Sequence, residues 1–162
     1  MSDLAIIDIL HDTTVDGPGF RTAIYAAGCQ HACLGCHNPQ SWSKENGNLF
    51  SVEHLFRVVC ENEFAHVTFT GGEPLLQVEG FSRLAQRIKE ETLKTIWCYT
   101  GYTYEQILQS EHLSSILPYI DVLVDGRFMI EYKDLELPFR GSSNQRIINV
   151  NQSQKAGHLV LL

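Results

Sequence analysis

The sequence predicts an α/β fold, an open, partial (β/α) barrel on a mostly parallel sheet of about five or six strands. Short β-branched runs alternate with amphipathic helical patterns, the rhythm of strand, crossover and parallel strand. About five such runs stand out, too few to close an eight-stranded barrel. The 162 residues suffice for one good core and not for two, so a single domain, 1–162, is expected to carry the whole function.

In chain order, residues 4–10 are a short apolar run bounded by Asp3 and interrupted by Asp8, without a basic segment ahead of it. They read as a first strand rather than a secretory signal, which makes the cytoplasm the expected location. Residues 22–27 form the next strand. Ser51 is an N-cap for a helix whose apolar stripe is Val52, Leu55, Phe56, Val59 and Cys60. A strand at 66–70 leads to a second helix marked by Phe81, Leu84, Ala85 and Ile88, with Lys89 near its end. After a strand at 95–99, Thr103 with Gln106 three residues on makes a capping-box pattern for a third helix. A strand at 121–124 follows. Residues 146–150 and 158–162 read as two more strands joined by the polar stretch 151–157, with their pairing open.

Composition narrows the function. Nineteen acidic against twelve basic residues, a net charge of −7, leave no clustered cations for phosphate contacts, so a nucleic-acid partner is not expected. No run is long and apolar enough to span a bilayer. Five cysteines are an odd set, and three of them fall within eight residues, a poor disulfide framework and a good metal site. Cys60 and Cys98 are read as packing residues.

That trio, Cys29, Cys33 and Cys36, lies on a loop after a strand, at the carboxyl end of the sheet where ligand sites form. Thiolates are soft ligands for an iron-sulfur cluster or zinc. A cubane has four irons, so three cysteines leave one iron open for a chelating small molecule. The other reading of the same residues is a zinc site with His31 or His37 as fourth ligand.

Three further segments close strands or precede the cluster strand. Gly71-Gly72-Glu73-Pro74 follows the strand at 66–70, where glycines permit close approach of a ligand or positive φ, and where a plain turn would look the same. Thr100 and Asp125 end two later strands and face the same mouth, or are ordinary strand-to-loop positions. Gly17-Pro18-Gly19, just before Arg21, makes a shaped loop beside that mouth, either a dock for an extended peptide or a turn.

The C-x3-C-x2-C spacing, followed one strand later by Gly-Gly-Glu-Pro, resembles the signature of the radical S-adenosylmethionine superfamily. The resemblance implies a partial barrel of that superfamily's type and a 4Fe-4S cluster on Cys29, Cys33 and Cys36. It implies that the amino and carboxylate groups of S-adenosylmethionine bind the open iron, and that reductive cleavage gives methionine and a 5'-deoxyadenosyl radical. Carbonyls of Gly71 and Gly72 and the Glu73 carboxylate would accept the cofactor's ammonium protons. Thr100 and Asp125 would contact its ribose or carboxylate, or a cation nearby. The superfamily tends to carry an aromatic residue before the third cysteine; Gly35 departs from this and matches the subgroup that activates glycyl-radical enzymes, with Cys36 and the His37 ring beside the cofactor.

Within that subgroup, the Gly-Pro-Gly segment and the stretches 121–128 and 139–146 resemble the activating proteins of anaerobic ribonucleoside-triphosphate reductases. This implies hydrogen abstraction from a glycine of the reductase, with a reduced flavodoxin or similar donor and a homodimer as further partners. A radical enzyme acting on a small molecule is the neighbouring alternative.

Overall fold

A computed structural model of the chain describes residues 3–36 and 39–162. Among them one open, seven-stranded sheet runs in the order β3-β1-β2-β4-β5-β6-β7. Its strands are β1 (Leu4–Thr13), β2 (Arg21–Ala26), β3 (Asn48–Phe50), β4 (His66–Gly71), β5 (Ile96–Tyr99), β6 (Val122–Asp125) and β7 (Arg146–Asn149). The four central strands β2, β4, β5 and β6 are parallel, while β1, β3 and β7 pair antiparallel at the flanks.

The helices are α1 (Val52–Cys60), α2 (Val78–Glu91), α3 (Tyr104–Leu108), α4 (Glu111–Ser114) and α5 (Val150–Ala156). Ser51 caps α1 by accepting from the His54 N–H. Thr103 and Gln106 form the anticipated capping box on α3. Satisfying otherwise orphaned amide groups fixes where these two helices begin.

Strand alternation splits the side chains between two faces. Ile24, Val67, Phe69, Ile96, Cys98 and Leu123 join the helix stripes in the main core, where the Phe69 and Phe81 rings lie 4.9 Å apart. The opposite face carries Arg21, Tyr25, Thr68, Trp97, Tyr99 and Val124. It is covered by two irregular segments, the loop around Asp16 and the stretch 128–145. The Thr68 and Tyr25 hydroxyls donate to Asp16, and the Tyr99 hydroxyl donates to the Phe139 carbonyl.

Several expectations change. The sheet has seven strands rather than five or six, and β1 runs antiparallel to its neighbour. β3 is only three residues long, too short for a period-two pattern to show. The polar stretch 151–157 is helix α5 and its cap rather than a strand connection: Asn149 accepts from the Gln152 N–H, and Gly157 closes the helix in the left-handed region. Residues 158–162 form a tail instead of a full strand, with Leu161 bridging Ile148 along the outer edge of β7. Cys60 is exposed at the end of α1, so it is not a packing residue, whereas Cys98 is fully buried.

Candidate cofactor site

The site is built at the carboxyl ends of the parallel strands. β2 pairs with β4 so that Ala26 lies opposite Gly71, which sets the start of the cysteine loop against the Gly-Gly turn. The loop is fixed at its stem, where the Gly28 N–H donates to the Ser41 carbonyl (2.6 Å) and the Cys29 N–H to that of Trp42 (3.0 Å). At its far end the Cys36 N–H donates to the Cys33 carbonyl, and Gly35 adopts φ +76°. Cys29, Cys33 and Cys36 are half-buried and line one cavity, with Gly71 and Gly72 after β4, Thr100 and Gly101 after β5, and Arg127 after β6. His37, expected beside the cofactor, lies outside the described residues.

Gly71 and Gly72 have a packing reason to be glycine. A Cβ on Gly71 would lie 2.4 Å from the Ala26 nitrogen, and one on Gly72 would lie 2.5 Å from the Gly28 carbonyl oxygen. The Gly72 and Glu73 N–H groups donate to the carbonyls of Ala26 and Gly28 at 2.8 and 2.7 Å. The turn is therefore the seat of the cysteine loop as well as a wall of the cavity.

Glu73 is turned into the protein. Its side chain is almost fully buried, and its carboxylate accepts from the Thr100 hydroxyl, the Gly101 and Leu75 N–H groups and His31 Nε2. A carboxylate has about four acceptor positions, and four donors from the protein already occupy them. Glu73 thus ties the cysteine loop to the ends of β4 and β5, and the cavity beside it is walled by Gly71, Gly72 and Thr100.

Asp125 is also turned inward. It is 1% exposed and accepts from Arg146 Nε (3.0 Å) and from the Tyr104 N–H (2.7 Å). Among the described residues its cationic partner is the Arg146 guanidinium. Arg21, at the end of the Gly-Pro-Gly segment, is buried at the opposite end of β2 and donates to Thr68 Oγ1 and the carbonyls of Pro18, Val67 and Thr95. Burial lowers its pKa to about 10. Tyr99 and Gly101, which flank Thr100 at the end of β5, also line the cavity, as do Phe128 and Gln145, to which sequence reading gave no role of their own.

Burial pushes the thiol pKa values of Cys29 and Cys33 up, whereas Arg127 pulls that of Cys33 down. Burial thus favours the protonated thiols of Cys29 and Cys33, and a bound metal would favour the thiolates. Three soft donors on one loop, facing an open cavity, fit an iron-sulfur cluster.

A fold with these thiols at the mouth of a parallel sheet defines an iron-sulfur protein, and the profile of the family described as "4Fe-4S single cluster domain" matches residues 15–148. The chain is similar to the anaerobic ribonucleoside-triphosphate reductase-activating protein of Vibrio cholerae, 37% identical over 141 residues that cover 82% of this chain and 90% of that one. The protein of the same name from Haemophilus influenzae is 38% identical over 82% of this chain and 90% of its own, and that of Enterobacteria phage T4 is 37% identical over 82% of this chain and 86% of its own. The chain belongs to the family of anaerobic ribonucleoside-triphosphate reductase-activating proteins.

Proposed function

We propose that this chain is a radical S-adenosylmethionine enzyme that forms the glycyl radical of an anaerobic ribonucleoside-triphosphate reductase. One observation carries the reading: Cys29, Cys33 and Cys36 share a single open cavity with the Gly71-Gly72 turn and Thr100 at the ends of the parallel strands. When bound, a 4Fe-4S cluster and S-adenosylmethionine would supply the hard chemistry, one-electron cleavage of the sulfonium and hydrogen abstraction from a reductase glycine.

The chain's own residues bind, orient and shield. The three cysteines are the cluster ligands. Carbonyls of Gly71 and Gly72 would accept the ammonium protons of the cofactor, and Gly35, Cys36 and His37 would flank it. Thr100 forms the wall, while Glu73 and Asp125 act through the groups they hold. The sheet is the open, partial barrel of the superfamily within one domain spanning 1–162.

A groove lined by Val15, Asp16, Leu137, Pro138 and Phe139 shares Tyr99 and Gly141 with the cysteine cavity. An extended, glycine-bearing peptide of the reductase enters along it. A reduced flavodoxin or similar donor supplies the electron, the chain pairs as a homodimer, and the reaction takes place in the cytoplasm. Among the described residues no helix is long and apolar enough to cross a membrane.

The test is an anaerobic assay with dithionite and S-adenosylmethionine after reconstitution. The reading expects about four irons per chain, 5'-deoxyadenosine as product and, with the reductase, a glycyl EPR doublet. Cys36→Ala abolishes cleavage and Cys60→Ala leaves it intact. Zinc in place of iron, or neither product nor doublet from iron-loaded protein, overturns the reading.

A further inference from the structure

His31 lies two residues after Cys29 and two before Cys33, yet its ring is turned into the protein, with 7% of the side chain exposed. Nε2 is 2.6 Å from Glu73 Oε1, an atom that also accepts from the Thr100 hydroxyl at 3.0 Å and the Gly101 N–H at 2.7 Å. A carboxylate only accepts, so the imidazole donates to it through Nε2–H. The ring meets Tyr102 edge-on, with centroids 4.8 Å apart.

The same ring fills the space beside Gly101. A Cβ on that residue would stand 2.5 Å from His31 Cδ2 and 2.7 Å from Nε2. The absence of a side chain at position 101 is what lets the imidazole reach Glu73. Three pieces of backbone therefore meet at one ring: the cysteine loop, the turn after β4 and the turn after β5. Backbone bonds hold the loop at Gly28 and Cys29 and again at Cys33 and Cys36, and His31 supplies a side-chain tether between them. The next residue, Ala32, adopts φ +50°, a conformation an alanine keeps only when its surroundings impose it.

We propose that His31 is a positioning residue for the cluster: wedged against Gly101 and tethered to Glu73, it holds Cys29 and Cys33 at the cavity wall before metal arrives. The proposal rests on the reading that Cys29, Cys33 and Cys36 are the cluster ligands. His31 itself donates to Glu73 and leaves the metal to the thiols. Outer contacts of this kind typically account for 10–100-fold in metal affinity.

The experiment compares wild type, His31→Ala, Gly101→Ala, the double variant and the exposed loop control Gln30→Ala, all reconstituted anaerobically. The readouts are the rate at which a ferrous chelator strips the cluster and the EPR line shape of the dithionite-reduced protein. His31→Ala is expected to lose iron about tenfold faster with an altered line shape, and Gln30→Ala at the wild-type rate. Gly101→Ala removes no hydrogen-bonding group but displaces the ring, so it moves in the same direction. The double variant is then no faster than His31→Ala alone, because both changes break one contact. His31→Gln, whose amide N–H can still donate to Glu73, recovers part of the retention. Wild-type release from His31→Ala, or additive effects in the double variant, overturns the proposal while the proposed function stands. A wild type that holds no cubane overturns both.

Discussion

Arg146 grips Asp125 across the antiparallel pair of β6 and β7, where the two residues stand directly opposite: Nη2 donates to Oδ2 at 2.5 Å and Nε to Oδ1 at 3.0 Å. Asp125 is buried, and its only other protein donor among the described contacts is the Tyr104 N–H. Removing the guanidinium leaves a desolvated carboxylate short of partners, which costs more than the pair itself contributes. Arg146→Ala is therefore expected to lower stability by about 2–3 kcal/mol. Glu105→Ala, which removes an exposed partner of the same guanidinium, costs under about 1 kcal/mol. Urea denaturation of the metal-free protein checks both, and equal losses would contradict the assignment.

Gly72→Ala tests the seat of the cysteine loop. The new methyl would meet the carbonyl oxygens of Gly28 and Ser41 at 2.5 and 2.8 Å, and neither is the movable end of a side chain. The loop stem must shift, taking Cys29 with it. The expected outcome is a protein with wild-type far-UV circular dichroism that retains about tenfold less iron after gel filtration. Full retention of iron would show that the stem yields without cost.

The parts of this fold that the sequence reveals are those set by local rules. Ser51 and Thr103 announce their helices because a cap side chain must satisfy the first amide groups. Alternation marks the strands that bury one row of side chains in the main core. Helix α5 escapes notice because only Val150 and Ser153 of its seven residues are buried, so no apolar stripe forms; its Asn149 cap and the Gly157 terminus were the available signals. In the site, three thiols at fixed spacing are legible as chemistry. The occupied state of Glu73 is not, because three of its four donors come from residues 31, 100 and 101, distant in sequence and brought to it by the fold, and only the Leu75 N–H is local. The same holds for Asp125, whose partner Arg146 lies 21 residues away.

His66 makes stability depend on pH. Its Nδ1 accepts the Thr95 N–H at 2.8 Å, which requires that nitrogen to be unprotonated. Burial first, then the nearby charges of Arg21 and Lys94, hold its pKa below the ordinary 6.5. The unfolded chain takes up a proton near pH 6.5, and the folded chain does so only at lower pH. Stability from this group is thus fully present above pH 6.5 and falls as the pH drops below it. Urea midpoints at about pH 7.5 and about pH 5.5 should differ, with the lower value at the acidic end. In His66→Gln, whose amide oxygen can also accept the Thr95 N–H, the difference should shrink. A difference unchanged in that variant would assign the pH dependence to other groups.

Tyr99 connects the cysteine cavity to the outer groove. Its hydroxyl donates to the Phe139 carbonyl at 2.6 Å, and Phe139 is held at φ +64° with its ring edge-on to Trp97. Burial raises the Tyr99 pKa, so the hydroxyl remains a donor throughout the neutral range. Tyr99→Phe keeps the ring packing and deletes that one bond, releasing a backbone segment whose conformation depends on it. The expected cost is about 1–2 kcal/mol, together with faster proteolysis between 133 and 141. Because the deleted bond braces the groove wall and leaves the cysteines and the Gly71-Gly72 turn in place, S-adenosylmethionine cleavage should stay near wild type. Glycyl-radical formation on the reductase should fall several-fold. Comparing 5'-deoxyadenosine yield with the EPR doublet in the same samples separates the two, and a parallel loss of both would place the effect of Tyr99 in the cofactor cavity instead.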